Sequence, residues 1–245
     1  MNPIAEARTA LMLLTRLPVP GTAVFAADLP ARAMAWYPVV GVLVGALAGA
    51  GFALMRLIGA PPLPSALVAL AIGVLATGGL HEDGLTDTAD GFGGGRDTAH
   101  KLAIMHDSRI GSYGAMALIL TLGLRASCLA ALDAPLLGLM ALIAAGAWSR
   151  AVLPALILLL PSARVSGVGA SQGRPTRGRV CAGLVLGVAV AGALAGAVPV
   201  AVATVAVLAF AWLAQRQIGG YTGDVLGAAQ QVAEVTMLFV MVVLR

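Results

Sequence analysis

HEDGLTDTADGFGGGRDTAHKLAIMHDSR, residues 81–109, stands between two long apolar runs. It holds all three histidines of the chain and six of its 11 carboxylates. A chain otherwise poor in charge has gathered its titratable groups in one place. Asp83, Asp87 and Asp90 fall at i, i+4 and i+7, a spacing that lines one face of a helix. Three anions on one face repel each other unless a cation sits between them.

The runs on either side set the fold class. Hydrophobic residues make up 60% of the 245 residues and charged residues 11%, with a mean hydropathy of +0.95. Soluble domains are about half apolar and a quarter charged. The excess predicts an all-α, polytopic membrane protein folded as a single domain. Stretches near the 20 residues needed to cross a bilayer run from Ala35 to Leu57, Leu63 to Leu80, Tyr113 to Leu132, Leu136 to Leu160 and Val225 to Leu244. Cys181 to Ala214 is too long for one span and is expected to break near Pro199. The total is about seven.

Between the spans lie an N-terminal segment (1–33) read as interfacial or re-entrant, an acidic loop (81–112) and a Gly/Arg-rich loop (161–180). With seven spans the 15 basic residues split 11 against 2, Arg125 and Arg150 lying inside the spans. The richer side is expected to be cytoplasmic, and it also receives the acidic loop and GGYTGD (219–224). No basic run is interleaved with aromatics, so nucleic acid is not an expected partner. Cys128 and Cys181 fall toward opposite faces and are not expected to pair. Gly41, Gly45 and Gly49, like Gly192 and Gly196, offer small-residue faces for packing within the chain or between chains, which leaves a homo-oligomer open.

Oxygen-only donors at Asp83, Asp87 and Asp90, with Glu82 beside them, suit a hard cation such as Mg²⁺, which shares its coordination with substrate phosphates. Gly93 and Gly94 let backbone approach a phosphate, and Arg96 and Arg109 can neutralise one. His81 is read as supporting the site by hydrogen bonding or proton transfer. His100 is read as a solvated loop residue. Asp107, Ser108 and Arg109 form a second polar stretch with a helix-cap geometry. In the last helix Asp224, Gln231 and Glu234 fall at i, i+7 and i+10, a polar stripe entering an apolar span, where ionisable residues are costly and by default functional. Arg150 is expected to pair with an internal acid. Arg125, nearer a helix end, is expected to snorkel.

HEDGLTDTADGFGG (81–94), MHDSRIGSYG (105–114), TRLPVP (15–20), WYPVVG (36–41) and GGYTGDVLGAAQQVAE (219–234) together resemble the cobalamin synthase family, the adenosylcobinamide-GDP ribazoletransferases. The resemblance runs from about residue 8 to 240 with the motifs in order. It departs at Thr86, where the family has Ala, and at His106, where it has Lys, so a role needing fixed positive charge at 106 is not carried over. The resemblance implies a Mg²⁺-dependent enzyme of the bacterial inner membrane, its site facing the cytoplasm. It would join a GDP-activated corrinoid to α-ribazole or α-ribazole 5′-phosphate and release GMP. It assigns catalysis to His81, Asp83, Asp87 and Asp90, and substrate contacts to Gly93, Gly94, Arg96, Asp107, Ser108, Arg109, Asp224, Gln231 and Glu234. Membrane lipid is the other partner. CDP-alcohol phosphotransferases and prenyltransferases use similar aspartates at other spacings. A cation-coupled transporter would use Glu234 and Arg150, but no internal repeat of the acidic motif is present.

Overall fold

The computed structural model describes residues 2–19, 28–164 and 173–245. Residues 20–27 of the N-terminal segment and 165–172 of the Gly/Arg-rich loop lie outside the described residues. The elements are α1 (Pro3–Leu14), α2 (Leu29–Ala33) with a 3₁₀ turn leading into α3 (Tyr37–Leu57), α4 (Pro62–Thr77), α5 (Leu80–Gly94), α6 (Thr98–Ile104), α7 (Ser112–Leu132), α8 (Pro135–Ala151), α9 (Leu153–Leu159), α10 (Arg177–Ala195), α11 (Ala197–Ile218) and α12 (Gly223–Val243). Six stretches are long and apolar enough to cross a bilayer: Leu29–Leu57, Ser112–Leu132, Pro135–Leu159, Arg177–Ala195, Ala197–Ile218 and Gly223–Val243. Their outer faces carry exposed Leu54, Ile119, Leu120, Val185, Val205 and Trp212, side chains that suit lipid rather than water. The protein is a multi-pass helical membrane protein.

A further span comes in two pieces. α4 ends at Gly78 and Gly79, both in the left-handed region (φ 69° and 71°), and α5 leaves at 90° to it. Only glycine adopts this pair of conformations without a Cβ penalty. At 16 residues α4 is about 24 Å long, short of the roughly 30 Å hydrocarbon core. The bent pair completes one broken span. The predicted span Leu63–Leu80 is therefore shortened, and the predicted loop 81–112 is mostly helical, comprising α5 and α6. A helix freed from the membrane normal can carry acids that a continuous span could not. Arg16 covers the bend: it donates its backbone N–H to the carbonyl of Ala76 at 2.8 Å, and its side chain lies against Gly78.

Cys181–Ala214 does divide into two helices, at Gly196 (φ 84°) and not at Pro199. Pro199 lies in the first turn of α11, where a missing N–H costs nothing because those donors have no helical acceptor.

The closest helix pair is α3 with α8. Gly41, Gly45 and Gly49 lie on Gly146, Leu142 and Leu139, and a Cβ at Gly41 would overlap the Gly146 carbonyl. This small-residue face thus packs within the chain. Gly41→Val is expected to part the two helices and lower the yield of folded protein in detergent, whereas Gly192→Val, which meets nothing within 4 Å, is expected to leave it unchanged. Fluorescence size-exclusion profiles of the two variants compare them directly.

α1 is 12 residues, too short to span, and is tied down by one acid. Glu6 is buried and pairs with Arg179 of α10 at 2.8 Å and Arg32 of α2 at 2.9 Å. Hydrogen bonding from Arg179, then Arg32, holds its carboxyl at about 2 against the opposing effect of burial. A lowered folded-state value contributes stability that is present above pH about 4.5 and lost as pH falls toward 2. Amide protection factors at buried Thr9 and Ala10 are expected to fall across that window. Glu6→Gln is expected to show the lower protection already at pH 7.

Candidate functional site

The site begins where α5 crosses the start of α12. Gly84 lies against the backbone of Asp224, and Gly227 against Gly84, so the two helices touch backbone to backbone. The crossing sets Asp83 and Asp87 beside Asp224, and Asp83, Asp224 and Asp90 all act electrostatically on Asp87. Asp83 is exposed, whereas Asp87 and Asp224 are half-buried. Arg164 reaches Asp224 at 3.4 Å. It is held there because residues 161–163 pair with 220–221: Tyr221 donates to the Pro161 carbonyl and Ala163 donates to the Tyr221 carbonyl, both at 2.9 Å. The Gly/Arg-rich segment and GGYTGD are thus stitched together at the site's edge. Periodicity reading missed Arg164, because a two-residue bridge between loops leaves no helical or strand pattern.

A groove of about 230 Å³ runs along this ridge, bordered by Glu82, Asp83, Thr86, Asp87, Ser108 and Ile110. It unites the acidic motif with the second polar stretch. Arg109 is elsewhere. Its side chain is 86% exposed, and it pairs with Asp107 at 2.6 Å, holding that carboxyl down at about 2 through the hydrogen bond. Asp107 and Arg109 border a second, more open groove with Asp90, Gly94 and Tyr113. Gly93 packs on the Tyr113 ring, while Gly91 and Gly95 pack on Met105 and Lys101, so these glycines also serve close approach of α6 and α7. Arg96 is exposed and has no acidic partner among the described residues, and His100 is exposed within α6.

Two acids of the motif are engaged elsewhere. Asp90 accepts from the backbone N–H of Gly111 at 2.7 Å and of Gly114 at 2.8 Å, one to each oxygen. It closes the N-terminus of α7, where helical N–H groups lack partners and a negative charge is favoured. Glu82, at the groove's edge, also reaches into the interior of the helix bundle. Its Oε1 receives Arg125 at 3.1 Å and Gln231 at 3.0 Å.

That contact opens onto a buried polar layer. Arg125 of α7 also donates to Gln231 at 3.0 Å and to Glu234, and Arg150 of α8 approaches Glu234 at 3.6 Å. Gln230 bonds Ser149 at 3.0 Å and Glu234. Two arginines and two glutamates balance to zero charge around a cavity of about 20 Å³, room for about one water. Arg150 has its expected acid. The expectation that Arg125 snorkels is overturned: its side chain is 6% exposed and holds three partners. Its acceptors come from helices that sequence spacing along α7 does not show. Gln231 and Glu234 therefore sit one layer below the acidic ridge: Gln231 donates to Glu82, the residue that anchors α5, and Glu234 shares Arg125 with it.

His81 is buried, and its Nε2 has no hydrogen-bond partner among the described residues. It lies between the polar layer and a third cavity, of about 200 Å³, beside Asp83 and Asp224. Among the described residues no three His, Cys, Asp or Glu side chains form a ready metal cage.

With this geometry in view, residues 6–242 match the family model for cobalamin-5-phosphate synthase. The chain belongs to this family. It is 45% identical over 243 residues to the adenosylcobinamide-GDP ribazoletransferase of Bradyrhizobium diazoefficiens, covering 98% of this chain and 94% of that protein. It is 45% identical to that of Mesorhizobium japonicum, with 94% and 90% covered. For that of Rhizobium meliloti the identity is 44%, with 94% and 92% covered. No solved structure matches. The family match spans both the broken helix and the α12 segment it crosses.

Proposed function

We propose that this chain joins adenosylcobinamide-GDP to α-ribazole or its 5′-phosphate, releasing GMP. The observation that supports it best is the pair Asp83 and Asp87 along a groove shared with Ser108, with Asp224 beside them, inside a family whose members make this bond. A ribose hydroxyl attacks the phosphorus that carries the corrinoid arm, and GMP leaves. Such transfers need positioning and charge neutralisation more than a covalent nucleophile.

Mg²⁺ is part of the proposal. The donor set fits it in kind: Asp83 and Asp87 offer oxygens only, and two carboxylates leave coordination positions for phosphate. Asp83 and Asp87 would hold the ion, with Asp224 adjoining. It would offset the negative charge building on the diphosphate. Asp83, being exposed on the groove, is the group placed to take the proton of the attacking hydroxyl. Arg164 draws phosphate toward the ridge and shields Asp224.

The proposed setting is the bacterial inner membrane with the ridge facing the cytoplasm. The 11-to-2 split of basic residues supports that orientation. Purified protein in vesicles, given both substrates, is expected to release GMP only with a divalent cation. Folded protein that releases none, but turns over a CDP-alcohol or a prenyl diphosphate, would replace the assignment.

A further inference from the structure

The cavity beside Asp83 is separate from the phosphate groove. Leu13 and Leu14 of α1, Tyr37 of α3, Leu153 of α9 and Leu226 of α12 form its walls. Four elements distant in sequence converge there, and the walls they supply are mostly apolar. His81, Asp83 and Asp224 border the same space. Asp83 also borders the groove, so one carboxylate faces both compartments.

We infer that this cavity takes the flat, uncharged base of the nucleoside substrate, leaving the ribose at Asp83 and the phosphates in the groove. The inference rests on the proposed reaction and adds which part of which substrate sits where. Size supports it. An apolar cavity of about 150 Å³ accepts benzene, so one of about 200 Å³ suits a fused two-ring base. The corrin macrocycle is far too large. Guanine is the competing two-ring group: Asp83 and Asp224 match its N–H donors, but its carbonyl and ring-nitrogen acceptors would face mostly leucines and carboxylates, which donate nothing. The benzimidazole has one unprotonated ring nitrogen and otherwise apolar edges. Buried His81 Nε2 lacks a partner, and that ring nitrogen is the partner it would gain. A ribose reaching from cavity to groove would then pass its hydroxyl across Asp83.

Leu80→Trp and Leu13→Trp test this by filling the cavity from positions that are exposed and half-buried. KM for α-ribazole is expected to rise on the order of tenfold, with KM for the GDP-corrinoid within about twofold. A riboside with a single-ring base is expected to be penalised less than α-ribazole. In the unaltered protein, free benzimidazole is expected to inhibit competitively against α-ribazole and not against the GDP-corrinoid. The inference is overturned if KM for α-ribazole stays unchanged in both folded variants. A rise confined to the GDP-corrinoid overturns it too, and places guanine in the cavity. Should neither variant fold, the inhibition pattern decides, and a benzimidazole that does not compete with α-ribazole overturns it. Failure of the underlying reaction is a separate result: the unaltered protein would release no GMP from the two substrates.

Discussion

Asp83→Asn and Asp87→Asn are each expected to lower turnover by roughly 10²–10³, the usual cost of losing one group that stabilises transition-state charge. Each swap keeps the side chain's size and removes one anion from the ridge. Both variants are also expected to need more Mg²⁺ for half-maximal rate. Asp90→Asn is expected to behave differently. An amide has one acceptor oxygen, whereas Asp90 accepts from both Gly111 and Gly114. That variant should unfold at lower temperature, with its Mg²⁺ requirement unchanged. Titrating Mg²⁺ against rate, beside a thermal melt, separates the two patterns. If Asp83→Asn and Asp87→Asn retain near-normal rates, the ridge is only a solvated helix edge. If Asp90→Asn shifts the Mg²⁺ requirement as they do, Asp90 belongs with the ligands.

The second large effect lies deeper. Arg125→Met is expected to destabilise the fold by about 3–5 kcal/mol, because it leaves buried Glu234 and half-buried Glu82 without their shared cation. Arg125→Lys keeps the charge but not the fork that reaches Glu82, Gln231 and Glu234 at once, and is expected to recover only part of the loss. Detergent-solubilised yield and melting temperature give the readout. A melting temperature for Arg125→Met equal to that of the parent chain would show that the layer holds nothing together.

Much of this was legible from the chain alone, because membrane helices announce themselves by composition. The runs at 35–57, 113–132, 136–160 and 225–244 each recur as a helix within a few residues. The clustering of Asp83 and Asp87, and the presence of Asp224 in the polar stripe, were also visible, since charge is scarce here and so stands out. Less visible was what each acid faces. Glu82 and Asp83 are neighbours in sequence, yet a helix turns them about 100° apart. Both border the groove, but Glu82 also reaches the buried layer and meets Arg125, whereas Asp83 also faces the third cavity. Asp90 looked like a third ligand because its spacing matched, but its partners are backbone groups more than 20 residues away. The bend between α4 and α5 was hidden in a plain Gly78–Gly79 pair. Arg125 was misjudged because depth was counted along one helix, while its neighbours are set by three.

The broken span also bears on how the protein is made. A helix with four acids has no reason to enter a bilayer on its own. What admits α5 is a set of partners synthesised later: Arg125 comes 43 residues after Glu82, and Gln231 comes 149 residues after it. The ridge is therefore complete only when α12 is present. A chain truncated before residue 223 lacks Asp224, Gln231 and Glu234 and is expected to hold α5 without these partners.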